Sequence, residues 1–403
     1  MLEEYTDPIT SEDILSITST LLTTEQETSP QTPEKEKKNF CSSRYSTGCK
    51  KCKCAVQGEL CSVTLCKCTN CTNTNVSADP LIGWEFGKDL KPPKIDEYLG
   101  SAKDIPSNKI SPYELFFYII DPLLNHIVMD SHEYAERKKI DYKLTKDDIV
   151  DIIIVLFIMG LNQIPSLNLY WSGKGLYGDM YGNQAIKDLI SRDKFWLILK
   201  VLHWNVDKVL EILNSQFQKY WKLGCCVAID EGLIRFKGRY QYRQHLPNKP
   251  AGTGIKLYGL ADKLGFLYSL WIYQGPYHGE ETKPHNIVIN FSKLLTESNV
   301  IYVDSYYGSL LLAQELDKNN LKFVLCCKSD KPSVLFSKKL HCQLKKGSWN
   351  YGLWEDKLLA ISFWDAAKCN FISNCFSVSN TEKPSLIEKY NIYKGGLDTA
   401  DAY

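Results

Sequence analysis

Two aspartates each follow an apolar run that has the composition of a buried strand. Asp230 comes directly after residues 225–229, and Asp304 comes directly after residues 300–303. If these strands are neighbours in a sheet, the two carboxylates lie close together and repel one another unless a cation neutralises them. Mg²⁺ (or Mn²⁺) suits this role because it binds carboxylates together with phosphate oxygens. The pattern predicts a metal site that acts on phosphate esters.

A third acidic position lies near the end of the sequence. Gly395 and Gly396 favour a tight turn, and Asp398 and Asp401 would share one face of a helix that starts there. An aspartate after a strand is more often a turn former or a helix cap than a metal ligand. From spacing alone, the metal site is therefore the less common of the two interpretations.

A block of cysteines is the other group with a recognisable chemistry. Eight of the 15 cysteines lie between residues 41 and 71. They are Cys41, Cys49, Cys52, Cys54, Cys61, Cys66, Cys68 and Cys71. Their spacing lets the thiolates share Zn²⁺, and the segment has too few apolar residues to fold without metal. The block predicts a module that holds two zinc ions, and free or disulfide-bonded cysteines are the alternative.

Composition and charge limit the class of protein. The 403 residues include 48 Lys and Arg against 47 Asp and Glu, so the net charge does not indicate a nucleic-acid partner. The chain begins Met-Leu-Glu-Glu, which is unlike a secretory signal. The most apolar run, residues 149–161, contains Asp151 and is too short to cross a bilayer. We expect a soluble intracellular protein with no membrane partner.

Helix-capping residues mark the first half of the long apolar region. The predicted N-caps are Ser111, Thr145 and Ser191. Each precedes a run whose apolar residues recur at helical spacing. We therefore expect a helical domain before residue 223, with the apolar faces forming its core.

The second half of the region changes to β-branched and aromatic runs bounded by glycine. The predicted strands cover residues 225–230, 254–260, 265–273, 300–303 and 322–327, and the predicted helices cover 286–296 and 309–316. The order is three strands, a helix, a strand, a helix and a strand. This order resembles the RNase H-like fold, an α/β class in which helices flank a mixed sheet.

Four blocks of the second half carry a more specific pattern. Residues 227–239 read Val-Ala-Ile-Asp-Glu-Gly-Leu-Ile-Arg-Phe-Lys-Gly-Arg, and residues 243–250 read Arg-Gln-His-Leu-Pro-Asn-Lys-Pro. Residues 302–310 read Tyr-Val-Asp-Ser-Tyr-Tyr-Gly-Ser-Leu, and residues 390–401 read Tyr-Asn-Ile-Tyr-Lys-Gly-Gly-Leu-Asp-Thr-Ala-Asp. In this order and spacing, the blocks resemble those of the piggyBac transposase family.

The resemblance implies roles for the acidic residues. Asp230, Asp304 and Asp398 fall on the family's catalytic aspartates, and Asp401 falls on its accessory acid. The family uses these residues with a divalent metal to hydrolyse double-stranded DNA at transposon ends and to join the freed 3′-OH into TTAA targets. The resemblance also implies a nuclear location, and it leaves open whether the chain forms a homodimer.

Basic residues crowd near the first acid. They are Lys237, Arg239, Arg243, Lys249 and Lys256, interleaved with Phe236, Tyr240 and Tyr242. Basic groups contact phosphates and aromatic rings stack on exposed bases, so these residues predict a DNA-binding surface. For any single Lys or Arg, a solvated surface position is the equally common alternative.

The cysteine block is similar to half of a tesmin-type CXC domain, which is a zinc-binding DNA reader. The resemblance implies phosphate contacts by Lys50, Lys51 and Lys53. Such modules also bind proteins, so a protein partner is the alternative.

The resemblance and the composition together predict seven divisions of the chain. They are a disordered polar tail (1–38), the zinc-binding module (39–75), a linker (76–106), a helical dimerisation and DNA-binding region (107–223), the catalytic core (224–330), an insertion domain (331–384) and a return to the core (385–403). Members of the family continue past the last acidic block, whereas this chain ends at Tyr403. We therefore expect a short final helix, a poorly held third acid and a chain that is inactive as written.

Three classes of function are compatible with these patterns. The first is a transposase-type enzyme. The second is a DNA-binding protein that keeps the fold without cleavage. The third is an interaction protein in which the zinc module binds the partner and the large domain is a scaffold.

Overall fold

The computed structural model describes most of the chain after residue 83. It covers residues 84–402 except 107–109, 174, 176–179, 248, 250–251, 276–282, 329–344 and 379–382. The eight cysteines of the predicted zinc module lie outside the described residues, as do Lys50, Lys51 and Lys53. Zinc binding and DNA contacts by this module therefore stay predictions.

Most of the described helices lie in the first half of the chain, and most of the strands lie in the second half. The strands are β1 (Trp84–Phe86), β2 (Ser101–Ala102), β3 (Trp221–Lys222), β4 (Cys226–Arg235), β5 (Gln244–His245), β6 (Thr253–Asp262), β7 (Leu267–Ile272), β8 (Val300–Gly308), β9 (Lys322–Cys327), β10 (Trp349–Trp354), β11 (Leu358–Trp364) and β12 (Lys368–Ser373). The helices are α1 (Pro112–Lys138), α2 (Lys146–Leu161), α3 (Gln184–Leu189), α4 (Arg192–Val201), α5 (Val206–Tyr220), α6 (Pro284–Ser292), α7 (Leu310–Lys318), α8 (Ser385–Tyr393) and α9 (Gly396–Ala402).

The three predicted N-caps of the helical half are confirmed. The side chains of Ser111, Thr145 and Ser191 each accept a hydrogen bond from the backbone N–H three residues later. Helix α1 continues through Pro122 to Lys138, and its apolar face packs along the helical core. Among the described helices, none has the length and apolar character that crossing a membrane requires.

The central sheet is mixed, as predicted. Its strand order is β1-β10-β11-β12-β9-β8-β4-β6-β5, and β7 also pairs with β6, on the edge opposite β4. Strand β8 runs parallel to both β4 and β9, whereas the other pairs are antiparallel. Strands β10 to β12 belong to the predicted insertion, and they continue the central sheet through the pairing of β12 with β9.

Helices cover both faces of the sheet. Helices α6 and α7 pack on one face through side chains that include Phe291 and Leu316. Helix α8 packs on the other face through Leu386 and Tyr390. Helix α9 lies on this second face as well, because Leu397 packs against Leu257 and Ala261 of β6. The sheet is therefore buried at its centre, where β8, β4 and β6 lie side by side.

Two polar contacts tie the helical half to the sheet. The side chain of Asn214 in α5 exchanges hydrogen bonds of 3.0 and 2.9 Å with the backbone of Leu270 in β7. The carboxylate of Asp262, at the end of β6, accepts hydrogen bonds from Trp221 Nε1 at 2.8 Å and from the Gly224 N–H at 3.3 Å. These contacts hold β6 and the start of β4 in place.

The packing of α9 can be tested by truncating its buried leucine. Leu397 is 1% exposed, so Leu397→Ala should lower the free energy of unfolding by about 2–4 kcal/mol through lost burial and a residual cavity. The matched control is Ile392→Ala in α8, since Ile392 is 51% exposed and should cost about 0.5 kcal/mol or less. Urea unfolding measures both, and equal losses would contradict the packing described.

Candidate active site

The parallel pairing of β4 with β8 brings Asp230 and Asp304 together. In the register, Ile229 lies opposite Val303, and the two aspartates are the next residues of their strands. Both strands continue past the aspartates, to Arg235 and Gly308, whereas the sequence predicted that they end there. The difference arises because β4 keeps its antiparallel pairing with β6 after its parallel pairing with β8 has ended.

Both carboxylates lie on the sheet face that α8 and α9 cover. Side chains alternate along a strand, so Asp230 and Asp304 point away from Ile229 and Val303, which belong to the core under α6 and α7. Asp230 Oδ1 accepts a hydrogen bond from the Glu231 N–H at 2.7 Å. Asp304 Oδ1 accepts one from the Tyr306 N–H at 2.9 Å. Each carboxylate is thus held by the backbone that follows it.

Burial makes these two carboxylates hard to ionise. Desolvation raises the pKa of Asp230 to about 7, with further increases from the charges of Glu231 and Asp304. The hydrogen bond from the Glu231 N–H and the charge of Lys249 oppose this increase. Desolvation also raises the pKa of Asp304, and the charge of Glu231 adds to it. Two desolvated carboxylates that repel each other create a strong attraction for a cation.

Helix α9 brings the third acidic block to the same face. Leu397 packs beside Gly259, which lies opposite Asp230 in the β4–β6 ladder. Asp401 Oδ1 lies 3.4 Å from the position that a Cβ on Gly232 would occupy. The final helix is short, as expected, and its buried Leu397 holds it against the sheet.

Both acids of α9, Asp398 and Asp401, are exposed. Partial desolvation raises the pKa of Asp401, and the nearby charge of Lys249 opposes this effect. Within the described residues, no group of three or more acidic, His or Cys side chains lies close enough to hold a metal ion. The structure therefore brings Asp230 and Asp304 together, places Asp401 beside Gly232 of β4, and leaves Asp398 at the surface.

The residues present nevertheless fit a hard divalent cation. The available ligands are carboxylate oxygens, which Mg²⁺ and Mn²⁺ prefer. Mg²⁺ in proteins that act on phosphates is commonly held by one or two carboxylates, with substrate oxygens and water completing the octahedron. The pair of Asp230 and Asp304 meets that requirement without a preassembled third ligand.

Three of the predicted DNA-binding residues are exposed in the segment after β4. Lys237, Arg239 and Arg243 are exposed, and none of them forms a salt bridge within the part of the chain that the structure describes. Arg243 Nη1 donates hydrogen bonds to the backbone oxygens of Lys237 and Gly238, at 2.9 and 3.1 Å. The segment therefore presents positive charge that no described carboxylate neutralises.

The other two predicted basic residues lie closer to the sheet. Lys249 is half-buried and donates a hydrogen bond to the backbone oxygen of Glu231 at 2.8 Å. Lys256 is only 8% exposed, with its ammonium 4.9 Å from the ring centre of Tyr258 and 5.1 Å from that of Tyr306. Burial lowers the pKa of Lys256. Its position thus differs from the exposed phosphate-contacting position that the sequence suggested.

Glu231 is a site residue that the sequence reasoning did not select. It lies next to Asp230 but on the opposite face of β4, where its carboxylate accepts a hydrogen bond from the Tyr307 hydroxyl at 2.9 Å. The same face carries Tyr258, which lies opposite Glu231 in the ladder, and the buried Lys256. Because side chains alternate between the two faces of a strand, the predicted strand already implied that Asp230 and Glu231 point to opposite faces.

The comparisons with known proteins agree with this geometry. A family model described as Transposase IS4 matches residues 111–403. The human PiggyBac transposable element-derived protein 2 is 24% identical over 344 residues, covering 74% of this chain and 57% of that protein. The human PiggyBac transposable element-derived protein 3 is 22% identical over 336 residues, covering 72% and 55%. The chain spans about half the length of these curated relatives.

A solved structure shares the fold. It is a cryo-EM structure of a piggyBac transposase synaptic complex with hairpin DNA, with a TM-score of 0.62 and 20% sequence identity. The match covers 76% of this chain and 70% of that one. The structural match shows that the chain has the fold of a piggyBac transposase. The chain belongs to the Transposase IS4 family of the matching model, as a member of the piggyBac type.

The pH dependence of stability tests the burial of Asp230. Its pKa rises from an ordinary 3.8 to about 7 on folding, so the folded chain binds more protons than the unfolded chain between these values. The free energy of unfolding should therefore fall as the pH rises from about 4 to about 7. In Asp230→Asn with EDTA present, we expect this fall to be smaller by up to about 4 kcal/mol.

Urea unfolding at several pH values measures this difference. The matched control is Asp193→Asn, because the Asp193 side chain is 85% exposed and should leave the pH dependence unchanged. The same pH dependence in Asp230→Asn and in the unsubstituted chain would mean that Asp230 is hydrated in solution.

Proposed function

We propose that the chain is a DDE/D transposase that cleaves DNA strands with a divalent metal and joins them at TTAA sites. The observation that carries the proposal is the pair of desolvated carboxylates, Asp230 and Asp304, on the sheet face against which α9 packs. A mixed sheet with this arrangement is consistent with an RNase H-like core.

The residues of the site have distinct roles in this proposal. Asp230, Asp304 and Asp398 hold Mg²⁺ (or Mn²⁺), and Asp401 supports them as the accessory acid. A bound metal would stabilise charge at the phosphate and activate the attacking oxygen. The hydrogen bonds from the Glu231 and Tyr306 N–H groups orient the carboxylates of Asp230 and Asp304 for this role. Asp398 would be the third ligand, from a side chain that is exposed.

Double-stranded DNA is the proposed partner, as transposon ends and TTAA targets. Lys237, Arg239 and Arg243 are exposed, form no salt bridge with a described carboxylate and would contact phosphates. The solved structure with the same fold is described as a transposase synaptic complex with hairpin DNA. A nuclear location and a homodimer on DNA complete the proposal, and the cysteine block would add a zinc-dependent contact to DNA.

DNA binding without cleavage is the second candidate function. It is favoured by the exposure of Asp398 and by the finding that no three metal-binding side chains are gathered in the described residues. The curated relatives bear names that describe them as derived from transposable elements. In this alternative, the basic segment after β4 keeps its role and the acidic pair does not act on DNA.

Strand cleavage separates the two candidates. We expect nicking of TTAA-flanked transposon-end DNA that requires Mn²⁺ or Mg²⁺, and a loss of at least about 100-fold in Asp230→Asn and in Asp304→Asn. The exposed control Asp193→Asn should nick normally. DNA binding with no nicking by the unsubstituted chain would favour the second candidate.

The basic segment can be tested through the salt dependence of DNA binding. Lys237→Gln with Arg239→Gln should weaken binding and reduce the slope of log affinity against log salt by about 2, because two phosphate contacts are lost. The control is Lys200→Gln with Lys318→Gln, which removes two exposed charges from helices of other regions. An equal change in the control pair would mean that the effect comes from net charge alone.

A further inference from the structure

Lys249 occupies an unusual position between the acidic residues. Its ammonium donates a hydrogen bond to the backbone oxygen of Glu231 at 2.8 Å. Glu231 directly follows Asp230, and Gly232, the next residue, lies beside the Asp401 carboxylate. A lysine bound at this carbonyl is therefore placed between the strand that carries Asp230 and the helix that carries Asp401.

The electrostatics support this placement. The charge of Lys249 opposes the increase in the pKa of Asp230 and of Asp401, so its ammonium lies in the field of both carboxylates. Within the described residues, Lys249 forms no salt bridge of 4.0 Å or less. The ammonium is thus hydrogen-bonded to a neutral carbonyl, and its charge acts on both Asp230 and Asp401 without an ion pair to any described carboxylate.

The second lysine near the site, Lys256, has different surroundings from Lys249. Lys256 is buried on the face of β6 that Tyr258 shares, with its ammonium close to the rings of Tyr258 and Tyr306. Lys249 follows β5 on the segment that leads into β6, and it is only half-buried. A single hydrogen bond to a carbonyl is weak enough to exchange for another acceptor. Of these two cations, Lys249 is the one that can move.

We propose that Lys249 is a resident counter-ion, whose ammonium partly neutralises Asp230 and Asp401 and is released when a divalent cation binds Asp230. The inference rests on the proposed metal site. Two cations that share the Asp230 carboxylate repel each other, so the ammonium and the metal weaken each other's binding. Once released, the ammonium is close enough to the site to contact a DNA phosphate.

The test measures metal binding directly, without relying on cleavage. Mn²⁺ binding to the full chain is followed by electron paramagnetic resonance, and thermal unfolding is recorded in EDTA and in Mn²⁺. Lys249→Met removes both charge and hydrogen bond, Lys249→Gln removes the charge and keeps a donor, and Lys249→Arg keeps both. Asp230→Asn with Asp304→Asn reports on the metal site itself.

The expected result is a gain in Mn²⁺ affinity when the charge is removed. Lys249→Met and Lys249→Gln should bind Mn²⁺ about 5- to 10-fold more tightly than the unsubstituted chain, at the lower end of typical coupling between sites. Their unfolding temperature should fall in EDTA and recover more in Mn²⁺. Lys249→Arg should resemble the unsubstituted chain in both measurements.

Two other outcomes would overturn the inference, and only the second of them would also overturn the proposed metal site. Unchanged or weaker Mn²⁺ binding in both neutral variants, with binding still lost in the double aspartate variant, would leave the metal site intact and reduce Lys249 to a structural contact. Mn²⁺ binding that does not depend on Asp230 and Asp304 would overturn the proposed metal site and the inference together.

Discussion

The candidate site depends on the parallel pairing of β4 with β8. That pairing places Ile229 opposite Val303, and the alternation of the pleat turns the following aspartates to one face. Helix α8 covers the face, so the carboxylates lose hydration where they also repel each other. Such an arrangement lowers the stability of the fold, and it creates a place where a cation is strongly attracted. The remaining features either hold this pair in place or supply the charges around it.

The neighbouring strand and the helical half provide the support. Strand β6 pairs with β4 along its length, so the position of Asp230 follows from the position of β6. Asp262 ties the end of β6 to Trp221, and Asn214 ties β7 to helix α5. Helix α9 then reaches the same face through Leu397, which packs where β6 has Gly259 and leaves room for it. A chemically simple site therefore requires contacts from most of the described fold.

The two faces of β4 separate two kinds of polar group. On one face, Asp230 lies next to Asp304 on the side of the sheet that α8 and α9 cover. On the other face, Glu231 accepts a hydrogen bond from Tyr307, and Lys256 lies between aromatic rings. The buried positive charge of Lys256 partly balances the acids from behind the sheet. Both faces together explain why a strand with two consecutive acids can be buried at all.

Local features of the sequence determined the helix starts at Ser111, Thr145 and Ser191, the order of strands and helices, and the family. Each depends on neighbouring residues or on motifs that can be read along the chain. The tertiary structure alone decided that β4 and β8 continue past their aspartates, that Lys256 is buried and that Leu397 anchors α9. These features depend on which strands pair and what covers them, and contacts between distant residues leave no local pattern.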